Sequence, residues 1–196
     1  FRYIVQAKKE LCGFEIIQTK KSLINDITIL CNDLKIKKLG FEADNLSFKK
    51  YVMLKKLSRG IKLMPTTDAV ENFRKIKSNE ELNVIKKVVK LTLSCLSFIK
   101  SKIMPGVREK DFAATIEYFI KTHGGDDSAF KTIVASGSNS VMPHAIASNR
   151  IIKINDSVLI DFGISSYGYN SDLTRIFSLG KINTYYRKIY SIVKDA

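Results

Sequence analysis

Hydrophobic spacing divides this chain into segments of different period. Ser78, Asn79, Glu80 and Glu81 form a helix-start signature, a serine followed three positions later by a glutamate. Leu82, Ile85, Val88, Val89, Leu96 and Ile99 follow at helical spacing as a core-facing stripe, and Pro105-Gly106 ends that helix. A second helix is predicted over about Glu109–Thr122, with Phe112, Ala113, Ile116, Phe119 and Ile120 apolar, and Gly124-Gly125 stops it. Beyond it the pattern shortens to that of strands: Phe130–Ala135, then a loop over Ser136–Arg150. Ser157–Asp161 and Tyr169–Phe177 are rich in Val, Ile, Leu, Tyr, Phe and Thr, with Gly163, Ser165, Ser166 and Gly168 between them, and read as a β-hairpin. A last helix is expected over about Thr184–Lys194, after Gly180.

Residues 1–64 mix shorter pieces. Phe1–Val5 and Phe14–Ile17 read as strands, Lys20–Leu34 as partly helical and Lys38–Phe41 as a short strand. Ser47 then caps a helix with Phe48, Tyr51, Leu54 and Leu57 on one side. Pro65-Thr66-Thr67-Asp68 is a break. The expected organisation is α+β: one domain over 1–64, a linker over 65–77 and a second domain over 78–196.

Composition narrows the class. The 196 residues suffice for one domain or one and a fraction, and 45% hydrophobic content can bury a core. No apolar run reaches the length of a membrane span, and no signal peptide opens the chain. The first residue is Phe1 rather than Met, so the natural start is expected to lie upstream. The net charge of +14 could suit a nucleic-acid partner. The lysines, however, are spread through every segment, as Lys8-Lys9, Lys20-Lys21 and Lys86-Lys87 illustrate, with no arginine cluster or aromatic platform. A nucleic-acid role is therefore not expected. Cys12, Cys31 and Cys95 are odd in number and follow no metal-ligand spacing, which fits reduced thiols in a cytoplasmic protein.

The candidate chemistry lies in the hairpin. Side chains alternate along a strand, so Leu159 and Asp161 share one face, and Asp172, Thr174 and Ile176 share one face of the second strand. A suitable register would bring the two carboxylates together, where a divalent cation would relieve their repulsion. Taken alone, the same acids could be ordinary hairpin residues, solvated or paired with lysine. The stretch VLIDFG also looks like the magnesium-binding motif of protein kinases. Residues 136–155 contain no His-Arg-Asp loop, and the chain has no GxGxxG, so that reading is excluded.

Two helices, then strands, then an acidic hairpin is an order with a family resemblance. SAFKTIVASGSNSVMPHA at 128–145, followed by DSVLIDFG and GYNSDLTRIFSLG, resembles the catalytic domain of Xaa-Pro aminopeptidases and Xaa-Pro dipeptidases (prolidases). These enzymes share the pita-bread fold with methionine aminopeptidases. LGFEADNLSFKKY at 39–51 and ENFRKIKSNEEL at 71–82 look like the end of that family's N-terminal domain and the entry to its catalytic domain. FRYIVQAKKE looks like a segment from the middle of the N-terminal domain.

The resemblance implies roles. The chain would combine part of an N-terminal α/β domain with the first half of a pita-bread catalytic domain. In the family, five side chains hold two divalent metal ions, and a hydroxide bound between the metals attacks the Xaa-Pro peptide bond. Asp161 matches the ligand of one metal, Asp172 the ligand that bridges both, and His144 the histidine beside the metals that contacts substrate or the reacting centre. Mn²⁺ is the leading metal, with Co, Zn and Fe also compatible. The family further implies a peptide substrate with proline at its second position, a homodimer and no membrane association.

The family's other ligands, one His and two Glu, fall in the second half of its catalytic domain. Here the two histidines, His123 and His144, both precede the hairpin, and His123 reads as structural at a helix end. Two carboxylates make too few ligands for a tight dinuclear site. The expectation is a piece cut at both ends and inactive by itself. Arg175 could pair with an acid near the metals, and Ile176 stands where the family usually has another threonine. The alternative is a non-catalytic pita-bread protein that binds a protein or nucleic acid.

Overall fold

The structure is a computed structural model that describes residues 3–20, 22–182 and 184–195. Two compact units make up the chain, one ending at Ile76 and the other beginning at Lys77.

The first unit is built in the order α1 (Ile4–Glu10), α2 (Leu23–Asp33), β1 (Lys38–Glu42), α3 (Phe48–Leu57), β2 (Lys62–Thr66) and α4 (Ala69–Lys75). Strands β1 and β2 pair in parallel, from Lys38 opposite Lys62 to Glu42 opposite Thr66. A parallel pair needs a crossover, and α3 supplies it. Ser22 and Ser47 cap α2 and α3 by accepting from the Asn25 and Lys50 amides. Ile24, Cys31, Leu54 and Ile61 are buried.

Several local expectations change in this unit. Of the strand expected at Phe1–Val5, Phe1 and Arg2 lie outside the described residues, and Ile4 and Val5 begin α1. Ala7, Lys8, Lys9 and Glu10 favour a helix, and Gln6 Nε2 donates to Glu10 Oε1 at 2.9 Å, one turn on. Phe14–Ile17 is irregular rather than a strand. Pro65 and Thr66, read as a break, complete β2 opposite Phe41 and Glu42. A proline is tolerated there because a two-stranded sheet has only edges. Helix α4 occupies the middle of the expected 65–77 linker. On α3, Leu54 is buried but Phe48 is exposed, so the apolar stripe is only partly used.

The second unit opens with α5 (Asn79–Lys102) and α6 (Glu109–Thr122). The expected capping box is formed: the Glu81 amide donates to Ser78 Oγ, and the Ser78 amide donates to Glu81 Oε2 at 2.6 Å. Val88, Cys95, Leu96 and Ile99 of α5 pack with Phe112, Ala113, Ile116, Phe119 and Ile120 of α6. Leu82 and Val89, expected in the stripe, are exposed. Phe98 and Phe119 stack with ring centroids 4.8 Å apart.

Six short strands follow: β3 (Asp127–Ser128), β4 (Ile133–Ser136), β5 (Ser157–Phe162), β6 (Ile164–Ser166), β7 (Tyr169–Asn170) and β8 (Leu173–Ser178). They form two antiparallel sheets, β4-β5-β8 and β3-β6-β7. Helix α7 (Thr184–Asp195) comes last. The predicted strand at Phe130–Ala135 starts later, at Ile133. The predicted second arm, Tyr169–Phe177, is divided between the two sheets as β7 and β8.

That division explains the glycine at 163. The chain leaves the first sheet at Gly163 and re-enters it at Ser171-Asp172, and these two crossing points press together. A Cβ at position 163 would run into the Ser171 carbonyl oxygen and approach Phe130 to 2.8 Å. Between the crossings, Tyr167 and Gly168 close the β6–β7 turn with φ of 53° and 76°, the pair of positive values a two-residue hairpin turn requires.

Candidate functional site

Strand β5 separates the helix layer from the candidate site. Val158, Ile160 and Phe162 are buried against α5 and α6, while Ser157, Leu159 and Asp161 are half-buried on the other face. The pairing fixes what surrounds Asp161: Ile133 lies opposite it on β4, and Thr174 opposite it on β8. Leu159 is likewise flanked by Ala135 and Ile176. Directly opposed residues in antiparallel strands project to the same side. The site face therefore carries Ile133, Ala135, Leu159, Asp161, Thr174 and Ile176.

Thr174 Oγ1 donates to Asp161 Oδ1 at 2.8 Å and fixes the carboxylate's orientation. Asp172 lies two positions before Thr174, in the connection that precedes β8, and is exposed. The β5–β8 pairing ends at Phe162 opposite Leu173, so Asp172 lies just beyond its edge. The arrangement is thus one half-buried and one exposed carboxylate rather than two buried ones. Among the described residues neither acid is in an ion pair, so lysine pairing does not account for them. Arg175 turns back on its own strand, where its Nη1 donates to the Thr174 carbonyl at 2.7 Å.

His144 sits in the loop that follows a 3₁₀ turn at Gly137–Val141, and it is exposed. The next residue, Ala145, is buried among Ile133, Ala135 and Leu159. The histidine loop is consequently seated on the same sheet face as Asp161. Among the described residues no three His, Cys, Asp or Glu side chains converge as a metal cluster. His123 instead stacks on Phe119 at 3.8 Å between ring centroids, and its Nδ1 lies 2.9 Å from the Phe119 carbonyl, as befits a helix end.

Two supports for these residues carry no local sequence signal. Thr92 of α5 and Ser171 bring their buried hydroxyls to 2.6 Å, and Ser171 Oγ also accepts from the Ile164 amide at 2.9 Å. This pins the backbone next to Asp172. Beside it lies a cavity of about 250 Å³ lined by Val89, Thr92, Leu93 and residues 170–173. The second support is Glu109, fully buried in the first turn of α6. Its carboxylate accepts from the backbone and side chain of both Ser136 and Ser148, and from Asn139. Burial pushes this carboxyl up, but the donors from Ser148, Ser136 and Asn139 outweigh it and hold the group below the usual carboxylate range. Nearby, Arg150 Nη1 donates to Asp156 Oδ2 at 2.6 Å, which holds Asp156 below its usual value. Serines and asparagines are dense in the 136–149 loop, a hint of a polar network. Their shared acceptor, 27 to 39 positions away, is not readable from the loop.

Comparison with known proteins extends this picture. The sequence profile of Metallopeptidase family M24 matches residues 83–196, and that of the Creatinase/Prolidase N-terminal domain matches residues 1–76. The chain is 36% identical to the uncharacterized peptidase YqhT of Bacillus subtilis, over its whole length and 56% of that protein. It is 36% identical to the Xaa-Pro dipeptidase of Pyrococcus furiosus, over 81% of this chain and 45% of that one. The solved Xaa-Pro dipeptidase from Bacillus anthracis superposes with a TM-score of 0.90 at 36% identity, covering 100% of this chain and 55% of that one. The chain spans about half the length of the curated relatives it matches. The helices, the two sheets and the acidic hairpin follow the N-terminal part and first half of the prolidase pita-bread fold. The chain belongs to metallopeptidase family M24.

Proposed function

We propose that this chain supplies the first part of the metal site of a peptidase that hydrolyses Xaa-Pro bonds. The observation that carries the proposal is the strand register. It puts Thr174 opposite Asp161, with Asp172 two positions before that threonine, and Ala145, next to His144, packs on the face that Asp161 shares, which supports this reading. Carboxylate oxygens that form no ion pair among the described residues suit hard divalent ions, Mn²⁺ first, with Co, Zn and Fe as alternatives. Asp161 would hold one ion and Asp172 would bridge two. Bound there, the ions supply Lewis acidity toward the scissile carbonyl and lower the pKa of water.

The chain's own residues do the rest. Thr174 orients Asp161 through Oδ1. Thr92 and Ser171 fix the backbone that presents Asp172. His144 exchanges a proton with the reacting centre or donates a hydrogen bond to it. A substrate with proline in second place has a tertiary amide with no N–H and a fixed φ, which calls for a dedicated site. A homodimer in the cytoplasm completes the proposal, and the free cysteines fit a reducing compartment.

Two carboxylates and one imidazole are too few to hold two ions tightly. The 196-residue polypeptide alone is therefore expected to show no Mn²⁺-dependent hydrolysis of an Xaa-Pro peptide. In a chain carrying the family's whole catalytic domain, Asp161→Ala and Asp172→Ala should each abolish hydrolysis and lower the bound metal. Activity surviving either change would reject that carboxylate as a metal ligand, whereas no hydrolysis by the unsubstituted complete domain would favour a non-catalytic binding role.

A further inference from the structure

Glu109 is a buried acid with no part in the metal site, and its two oxygens divide their work. Oε1 accepts from the Ser136 amide and hydroxyl, both at 2.7 Å, where the chain leaves β4 and enters the histidine loop. Oε2 accepts from the Ser148 amide at 3.1 Å and its hydroxyl at 2.6 Å, where the chain leaves that loop. Asn139 Nδ2 lies within 3.2 Å of both oxygens. One carboxylate thus ties the loop's entry to its exit. The backbone reinforces the exit, since the Glu109 and Lys110 amides donate to the Arg150 and Ser148 carbonyls. His144 lies between the two anchored feet.

We propose that Glu109 is the positioning residue for His144: it holds the ends of the 136–148 loop at one point, so that the imidazole is presented on the Asp161 face. The role depends on geometry that only a carboxylate provides. All the groups directed at it are donors, and it meets them with acceptor oxygens alone. A glutamine of the same shape would turn an NH₂ group toward one foot and release it. The relevance of this device to catalysis rests on the reading of His144 given above; the clamp itself does not.

The test uses the 196-residue chain, ¹⁵N-labelled, as wild type, Glu109→Gln and Ser148→Ala. Its two histidines serve as probe and control, His144 inside the loop and His123 stacked on Phe119. Glu109→Gln should shift or broaden the His144 ring signals and leave those of His123 in place. It should also speed amide exchange at Ser136 and Ser148 about tenfold or more, as expected for losing hydrogen bonds to a charged group. Ser148→Ala removes one hydroxyl only and should move the same signals less, which preserves the test if Glu109→Gln does not fold. The proposal is overturned if His144 and its flanking amides are unchanged in the variants, or if both histidines move together. A changed His144 environment, together with hydrolysis by the complete catalytic domain that survives His144→Ala, would keep the clamp and remove the catalytic role of His144 instead.

Discussion

Thr174 and Asp161 face each other across the β5–β8 pair, and the threonine hydroxyl donates to Asp161 Oδ1 at 2.8 Å. With Asp161 as the metal ligand proposed above, a partner of this kind would orient it without touching the ion. In a chain with the complete catalytic domain, Thr174→Val should weaken Mn²⁺ binding about tenfold by equilibrium dialysis. Its β-branched shape keeps the strand, so the thermal midpoint should hardly change. Unaltered affinity would mean that Asp161 needs no such orientation.

The Thr92–Ser171 contact should behave as a unit. Either Thr92→Val or Ser171→Ala leaves a buried polar group with one partner fewer, a loss of about 1–3 kcal/mol in urea denaturation. The double variant should cost less than the sum of the two, because the shared 2.6 Å contact is then removed only once. Strict additivity would show the two hydroxyls to be independent.

Acid should loosen the second unit through Glu109 and Asp156. Both carboxyls are held below their usual values, Glu109 by its serine and asparagine donors against burial, Asp156 first by Arg150. A depressed folded pKa gives stability that is complete above the unfolded value and lost as pH falls through the folded one. Stability should therefore decline below about pH 4, and the decline should be shallower in Asp156→Asn. A pH profile identical to wild type in that variant would refute the assignment to Asp156.

Cysteine reactivity should split by environment. Cys12 is exposed, whereas Cys31 and Cys95 are buried, and burial pushes the Cys95 thiol up to about 12. At pH 8 a thiol reagent should label Cys12 in the folded chain and reach Cys95 only after denaturation. Rapid labelling of Cys95 without denaturant would contradict the packing of α5.

The sequence made the helices of the second unit legible because their signals are local. A serine cap with a glutamate three positions on, and apolar residues at helical spacing, need no distant partner. The β5 pattern was legible for the same reason, and it brought Asp161 with it. The second arm divides at Ser171-Asp172, where the chain changes sheets and packs closely on Gly163, a distant contact that no local pattern announces. Glu109 carries no such signal, because it looks like any acid in a first helical turn, and what distinguishes it lies 27 or more positions downstream. At the N-terminus, β-branched residues suggested a strand where Ala7–Glu10 carry a short helix, a segment with no buried residues to settle the matter by packing.

The strict alternation of β5 has an evolutionary corollary. Even-numbered positions from Val158 to Phe162 belong to the apolar core, and odd-numbered ones to the face with the carboxylate. Substitutions along this strand can be selected almost independently on the two sides. Losing or gaining one residue allows no such freedom, since it would exchange the sides at once, turning Asp161 into the packed layer and an apolar neighbour outward. Divergence in this segment should proceed by replacement alone, with insertions and deletions confined to the flanking loops.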